Sequence, residues 1–236
     1  LFTDMGTIGA GGISSGIYTT DSAAQVKYLV NDSKTKFYFA ENEEQLDKIL
    51  EVRNECPSLK KIIVYDMEGL NDFKDDQVLS YEEFIQLGKK LDSDQPELWL
   101  QSINSVEADD IAILVYTSGT TGPSKGAMIN HKNLLYSVNT GVEIFEAREH
   151  EEQLSFLPLC HILERSVSVM FPLKTGAVVN FAESIDTVPE NIREVSPTVF
   201  VAVPRIWEKF YSSITILMKD ATFIGRYFYN LSINTG

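Results

Sequence analysis

The apolar run Ile111-Ala112-Ile113-Leu114-Val115-Tyr116 passes directly into Thr117-Ser118-Gly119-Thr120-Thr121-Gly122-Pro123-Ser124-Lys125-Gly126, and this junction constrains the chain more than any other stretch. Asp109-Asp110 bounds the run on its other side. A short, continuously apolar segment between a polar boundary and a glycine-rich loop reads as a strand buried on both faces, as in an α/β sheet. The loop therefore leaves the end of a core strand. Gly119, Gly122 and Gly126 let backbone N–H groups approach an anion closely, while Thr117, Ser118, Thr120 and Thr121 add hydroxyl donors and Lys125 adds a full positive charge. That combination suits a polyphosphate, and a nucleotide is the natural candidate. The plainer alternative is a Ser/Thr/Gly-rich surface turn.

A generic phosphate loop of the Walker type, Gly-x-x-x-x-Gly-Lys-[Ser/Thr], fails here at two places. Counted from Gly119, Ser124 stands where the second glycine should be, and Gly126 stands where the magnesium-binding hydroxyl should be. The stretch instead resembles the phosphate loop of the AMP-forming, adenylate-forming ligases, Tyr-Thr-Ser-Gly-Thr-Thr-Gly-x-Pro-Lys-Gly. Every fixed position from Tyr116 to Gly126 matches except Ser124, where that family usually has proline.

Two further blocks carry the same resemblance. Leu157-Pro158-Leu159-Cys160-His161-Ile162-Leu163-Glu164-Arg165 ends in a His-x-x-Glu-Arg pattern that looks most like the long-chain fatty acid–CoA ligases. Val203-Pro204-Arg205-Ile206-Trp207-Glu208-Lys209 resembles the very-long-chain and bacterial long-chain branch, in which the segment is expected to wall the acyl pocket. Taken alone, His161 would read as a satisfied core histidine and Trp207 as a core aromatic, with Arg205 capping or pairing locally. Cys160 is next to His161 in sequence and is expected to point away from it, so no thiol–imidazole pair is read there.

The rest of the chain alternates strand and helix patterns. Gly6 to Gly16 never completes Gly-x-Gly-x-x-Gly, since Ser14 stands at the last position counted from Gly9; a tightly packed helix or turn is expected. Ser22 with Gln25 forms a capping box for a helix through Val26, Leu29 and Val30. Phe37 to Ala40 reads as a strand, Asn42 with Gln45 caps a helix through Leu46, Ile49, Leu50 and Val52, and Lys61 to Asp66 reads as the next strand. Strand, helix, strand at this spacing is a βαβ unit and implies a parallel sheet. Residues 67–110 turn acidic and polar and read as a surface excursion with one helix, Ser80 to Lys90, boxed by Glu83. Beyond the loop, Ala127 to Ile129 continues a strand and Asn130 caps a helix; Leu154 to Leu159 is a strand running into a loop at Cys160-His161, and a helix follows through Arg165, Val169 and Phe171. Ala177 to Phe181 is a strand, Thr187 with Glu190 boxes a helix to Val195, Thr198 to Val203 is a strand, and Pro204 opens a long helix. The expected fold class is α/β, with layered, mostly parallel sheets and flanking helices.

With 236 residues and 44% hydrophobic content the chain can bury a real core. A net charge of −14 gives no general attraction to nucleic acid or to anionic membrane, so an anionic substrate must be held by local donors. Cys56 and Cys160 make no disulfide framework, and no metal-ligand spacing joins His131 to the scattered acidic residues. No apolar run reaches the ~20 residues that span a bilayer. A cytosolic protein with at most peripheral membrane contact is expected.

The resemblance implies a definite chemistry. A long-chain fatty acid and ATP would give an acyl-adenylate and pyrophosphate, and coenzyme A would then give the acyl-CoA and AMP. It places the β- and γ-phosphates on Ser118, Gly119, Thr120, Thr121, Gly122 and Lys125, gives Thr117 a part in holding Mg²⁺, and sets His161 by the α-phosphate. Lys125 and His161 would be the catalytic groups. The same resemblance makes residues 1–236 part of the large N-terminal adenylation (AMP-binding) domain, without the family's small C-terminal domain. The chain opens at Leu1 within a patterned segment and has no counterpart of the family's later Tyr-Gly-x-Thr-Glu block, so an internal piece, inactive alone, is expected. Two alternatives stand beside this: an adenylating ligase for short-chain, aryl or amino acids, and a nucleotide-binding remnant without catalysis.

Overall fold

A computed structural model describes residues 1–117, 122–144 and 150–235. The chain runs through α1 (Phe2–Gly9), β1 (Ser14–Ser15), α2 (Ala23–Asp32), β2 (Phe37–Ala40), α3 (Glu43–Val52), β3 (Lys61–Val64), β4 (Val78–Ser80), α4 (Tyr81–Asp94) and α5 (Leu98–Ser105). It continues through β5 (Ile111–Thr117), β6 (Lys125–Asn130), α6 (His131–Ile144) and β7 (Glu152–Ser155). Next, α7 (Ile162–Arg165) passes through a π-helical turn at Ser166–Met170 into α8 (Phe171–Thr175), followed by β8 (Val178–Phe181), α9 (Val188–Val195), α10 (Pro204–Lys219) and α11 (Phe223–Thr235). No helix among the described residues is long and apolar enough to cross a membrane.

The βαβ unit forms as its pattern predicts. Asn42 accepts from the Gln45 N–H at 3.2 Å to start α3, and β2 and β3 pair in parallel with Phe39 opposite Ile63. The helix lays Leu46, Ile49 and Val52 on the sheet, where Ile62 and Val64 are fully buried. Each such side chain contributes roughly 1.5–3 kcal/mol of apolar transfer. On α2 the Ser22–Gln25 capping box is complete, and Val26, Leu29 and Val30 are buried. The Gly6–Gly16 segment is a helix and turn, and Gly9 is glycine for a packing reason: a Cβ there would stand 2.4 Å from the ring of Trp99 on α5.

Three sheets result: β1-β5-β6, β2-β3-β4 and β7-β8. All pairings are parallel except β5 with β6, which is an antiparallel hairpin around the glycine-rich loop. Lys125 thus begins a strand instead of ending a loop.

Several local expectations are corrected. Residues 67–110 hold more than one helix: β4 joins β3 in parallel, and α5 precedes β5. Neither left a clear signal, because β4 is three residues behind an acidic run and Glu97 makes no side-chain cap on α5. The Thr187–Glu190 box does not form; the Thr187 hydroxyl accepts from the Ser184 N–H at 3.1 Å and donates to the Ser184 carbonyl at 3.0 Å. Thr198 to Val203 is not a strand. It contributes one parallel bridge, Val199 to Gln153, and the Ala202 carbonyl is then taken by the Trp207 indole N–H at 3.2 Å as the chain bends into α10. Finally, β7 ends at Ser155, so His161 starts a helix and does not sit at a strand end.

Candidate functional site

Ile113 and Ala112 are fully buried and Val115 nearly so, which makes β5 a rigid post carrying the hairpin. At its exit Thr117 is exposed and is the register partner of Lys125, also exposed, across the antiparallel pair. The fold thus sets a hydroxyl and an ammonium side by side at the carboxyl end of the central strand. Open α/β sheets bind ligands at that end. Ser118, Gly119, Thr120 and Thr121 lie outside the described residues. Gly122 has φ +87°, a left-handed backbone that glycine adopts without strain, and it is exposed. Gly126 answers a different need, since a Cβ there would come within 3.1 Å of the Tyr116 ring.

The arms of the hairpin are tied to α2. The Tyr116 hydroxyl donates to Asp32 Oδ2 at 2.7 Å, and the Tyr28 hydroxyl donates to the Ser124 carbonyl at 2.8 Å. Burial, followed by the Asp32 hydrogen bond, raises the Tyr116 pKa well above the ordinary phenol value, so the phenol stays a donor at neutral pH.

His161 approaches from the other edge of this sheet. Ser15 of β1 is level with Leu114 in parallel register, so Gly16 leaves β1 toward the same end as Thr117. Cys160 seats on Gly16, where a Cβ would come within 2.6 Å of Cys160 Cβ. His161 itself is exposed, with its backbone N–H donating to the Pro158 carbonyl at 2.9 Å and its carbonyl accepting the Arg165 N–H at 3.0 Å. Among the described residues no hydrogen bond joins His161 to Thr117 or Lys125, so the two groups share an end of the sheet without touching. Cys160 is partnered by Tyr18, and burial pushes its thiol pKa up. Its contact with His161 is to the backbone and not to the imidazole.

Behind His161 lies a buried polar layer. Glu164 is 4% exposed and accepts from the hydroxyls of Ser155 at 2.6 Å and Ser168 at 2.8 Å. Arg165, equally buried, binds Asp4 of α1 through Nε at 3.0 Å and through a second nitrogen, and donates to Ser14 Oγ of β1 at 2.9 Å. Desolvation lowers its pKa to about 10, which leaves it charged at neutral pH. The His-x-x-Glu-Arg pattern therefore works as a mount: one exposed histidine and two buried charged residues that fasten its helix to β7 and β1. Asp4, Ser14, Tyr28 and Asp32 carry this architecture, and none belongs to a motif that marks it. In the third block, Trp207 packs edge-on against Phe200 and Phe210 while half-exposed, and Arg205 is exposed.

Comparison with known proteins bears on the whole chain. The sequence model of the AMP-binding enzyme family matches residues 1–226. The human long-chain-fatty-acid–CoA ligase ACSBG2 is 36% identical over 91% of the chain, and its Xenopus laevis counterpart is 35% identical over 96%. These regions are 32% and 31% of those proteins, so the chain spans about a third of the length of the curated relatives it matches. Among solved structures, the anthranilate CoA ligase AuaEII in complex with anthranoyl-AMP superposes with a TM-score of 0.67 over 87% of the chain and 38% of its own, at 23% identity. ATP-bound MatB from Rhodopseudomonas palustris superposes with a TM-score of 0.63 over 87% of the chain and 37% of its own, at 21% identity. Those two likenesses speak for the fold. With the family match running through the hairpin and the histidine mount alike, the chain belongs to the AMP-binding enzyme family.

Proposed function

We propose that the protein containing this chain is a long-chain fatty acid–CoA ligase of the AMP-forming type, with the β5–β6 hairpin as its ATP phosphate site. The observation that carries this is the pairing of Thr117 with Lys125 at the exit of a buried strand, within a stretch matching the family's phosphate loop. The substrate class rests on the relatives, which are named long-chain-fatty-acid–CoA ligases.

A carboxylate is a poor electrophile, because its charge is delocalised and its leaving group would be oxide. Activation solves this in two balanced steps. A carboxylate oxygen bonds to the α-phosphorus of ATP as the bond to the pyrophosphate oxygen breaks; the thiol of coenzyme A then adds to the acyl carbon, loses its proton, and AMP departs. In such in-line transfer the protein chiefly positions groups and neutralises charge. Lys125 would offset the charge gathering on pyrophosphate, with Ser118, Gly119, Thr120, Thr121 and Gly122 donating to the β- and γ-phosphates. His161, exposed at the same end of the sheet, would donate to the α-phosphate or the acyl oxygen. Thr117, exposed at the exit of β5, fits Mg²⁺ as one oxygen ligand. When bound, Mg²⁺ would supply charge neutralisation there.

The test is Lys125→Ala in the encoded protein. Fatty-acid-dependent ATP–pyrophosphate exchange should fall at least about tenfold, the effect of one lost charge-assisted contact of ~1.5 kcal/mol, with melting temperature nearly unchanged because Lys125 is exposed. Unchanged exchange would remove ATP from the hairpin. In a substrate panel palmitate should exceed acetate in kcat/KM, since each buried CH₂ adds ~0.8 kcal/mol. A best substrate that is acetate, an aryl acid or an amino acid would move the protein to another branch, and no exchange with any acid would make it a nucleotide binder without catalysis.

A further inference from the structure

The two bonds from α2 to the hairpin have a shared geometry. Tyr28 and Asp32 are four residues apart, hence one turn apart on one face of α2. One grips the arm that enters the loop, through Tyr116, and the other grips the arm that leaves it, through the Ser124 carbonyl. Thr117 and Lys125 stand next to these grips, each one residue away. The helix is held in place, because Val26 and Val30 are buried in the core of the β2-β3-β4 sheet, Leu29 is also buried, and its N-terminus is boxed. Asp32 is also in the wrong place for the helix: a carboxylate in the last turn opposes the helix dipole. A residue that breaks a local rule calls for a compensating contact, and the Tyr116 hydroxyl supplies one. The Tyr116 ring lies against Gly126, its register partner on β6, and its hydroxyl reaches Asp32.

We infer that α2 is a clamp that holds Thr117 and Lys125 in register for the nucleotide phosphates, with Tyr28 and Asp32 as positioning residues that set affinity for ATP without touching it. This rests on the assignment of ATP to the hairpin. The physical effect is preorganisation: apparent affinity falls by the fraction of molecules in which the arms are in place. Both contacts are made to the arms of the hairpin, so the effect is expected on ATP and not on the fatty acid or coenzyme A.

The experiment compares wild type, Lys125→Ala, Tyr28→Phe, Asp32→Ala, Asp32→Asn and the Tyr28→Phe/Asp32→Ala pair in the encoded protein, measuring melting temperature, kcat and KM for each substrate. Each clamp deletion should raise KM for ATP about two- to tenfold, the range of one hydrogen bond's net effect. The pair should exceed either single change, and KM for palmitate and coenzyme A should stay within about twofold. Asp32→Asn keeps an oxygen acceptor for the Tyr116 hydroxyl and should restore most of the ATP affinity lost in Asp32→Ala. If Lys125→Ala leaves kcat/KM for ATP unchanged, the ATP assignment falls. If Lys125→Ala weakens ATP but the clamp variants do not, or they raise all three KM values alike, or Asp32→Asn behaves as Asp32→Ala, the clamp is overturned. Tyr28→Phe keeps the ring and Asp32 is exposed, so folding should survive both changes.

Discussion

Arg165 is the residue whose replacement most directly tests how the His161 segment is fastened. Its side chain is 5% exposed, and that of Asp4, its partner across 161 residues of sequence, is 17% exposed. Burial lowers the guanidinium pKa to about 10, because desolvation opposes the charged form. The bidentate contact with Asp4 and the bond to Ser14 offset that cost. Arg165→Met relieves the desolvation but leaves the Asp4 carboxylate largely buried without a cation, and breaking a buried pair in this way costs about 3–5 kcal/mol. Asp4→Leu strands the guanidinium at a similar cost. The double variant removes both charges and should lie within about 2 kcal/mol of wild type, so the pair couples strongly. Trp99 offers a local readout, because its ring packs on Gly9 in the same helix as Asp4. Urea unfolding followed by the ¹⁹F resonance of fluorotryptophan, assigned to Trp99 by its loss in Trp99→Phe, reports whether α1 stays docked. Single variants that each cost under about 1 kcal/mol, or a double variant whose loss equals the sum of the two, would refute the mount.

Two other outcomes follow from the electrostatics. Cys160 should be alkylated by iodoacetamide with a pH midpoint above that of an ordinary thiol, because burial raises it; peptide mapping separates it from Cys56, and a midpoint at or below the ordinary value would contradict the packing on Gly16. Asp75 is held below the usual carboxylate range by the Gln77 N–H and then by Arg53, so its contribution to stability is present above ~pH 3.9 and is lost as pH falls through the lower folded value. Asp75→Asn should therefore destabilise the protein at pH 7, and the gap to wild type should close in acid; a gap that persists unchanged at pH 2.5 would assign the effect to packing.

What could be read from the chain alone follows the range over which each signal acts. Helices with a side-chain cap and an apolar face, such as α2, α3 and α4, announce both start and type within a few residues. The buried strand β5 does so by its unbroken apolar run, and the βαβ spacing then implies the parallel pairing of β2 with β3. Elements recruited by their neighbours leave no such trace. β4 is a strand because Ile62 and Ile63 present a free parallel edge to Val78 and Leu79, and Thr198 to Val203 fails as a strand because Trp207 captures the Ala202 carbonyl. In both cases tertiary contact decides against local propensity.

The candidate site divides in the same way. Its chemical groups were visible as motifs, since a phosphate loop needs glycine, hydroxyl and lysine at set spacing whatever surrounds them. Their supports were not. Arg165 finds Asp4 from 161 residues away, and Tyr28 finds Ser124 from 96 residues away, through a backbone carbonyl that any residue would supply. That last contact also explains how the one departure from the family's loop pattern can be tolerated. Serine in place of proline at 124 changes the side chain, restores a backbone N–H and frees φ, whereas the clamp acts on the carbonyl. The departure from the pattern therefore leaves untouched the one group of residue 124 that its contact with Tyr28 uses.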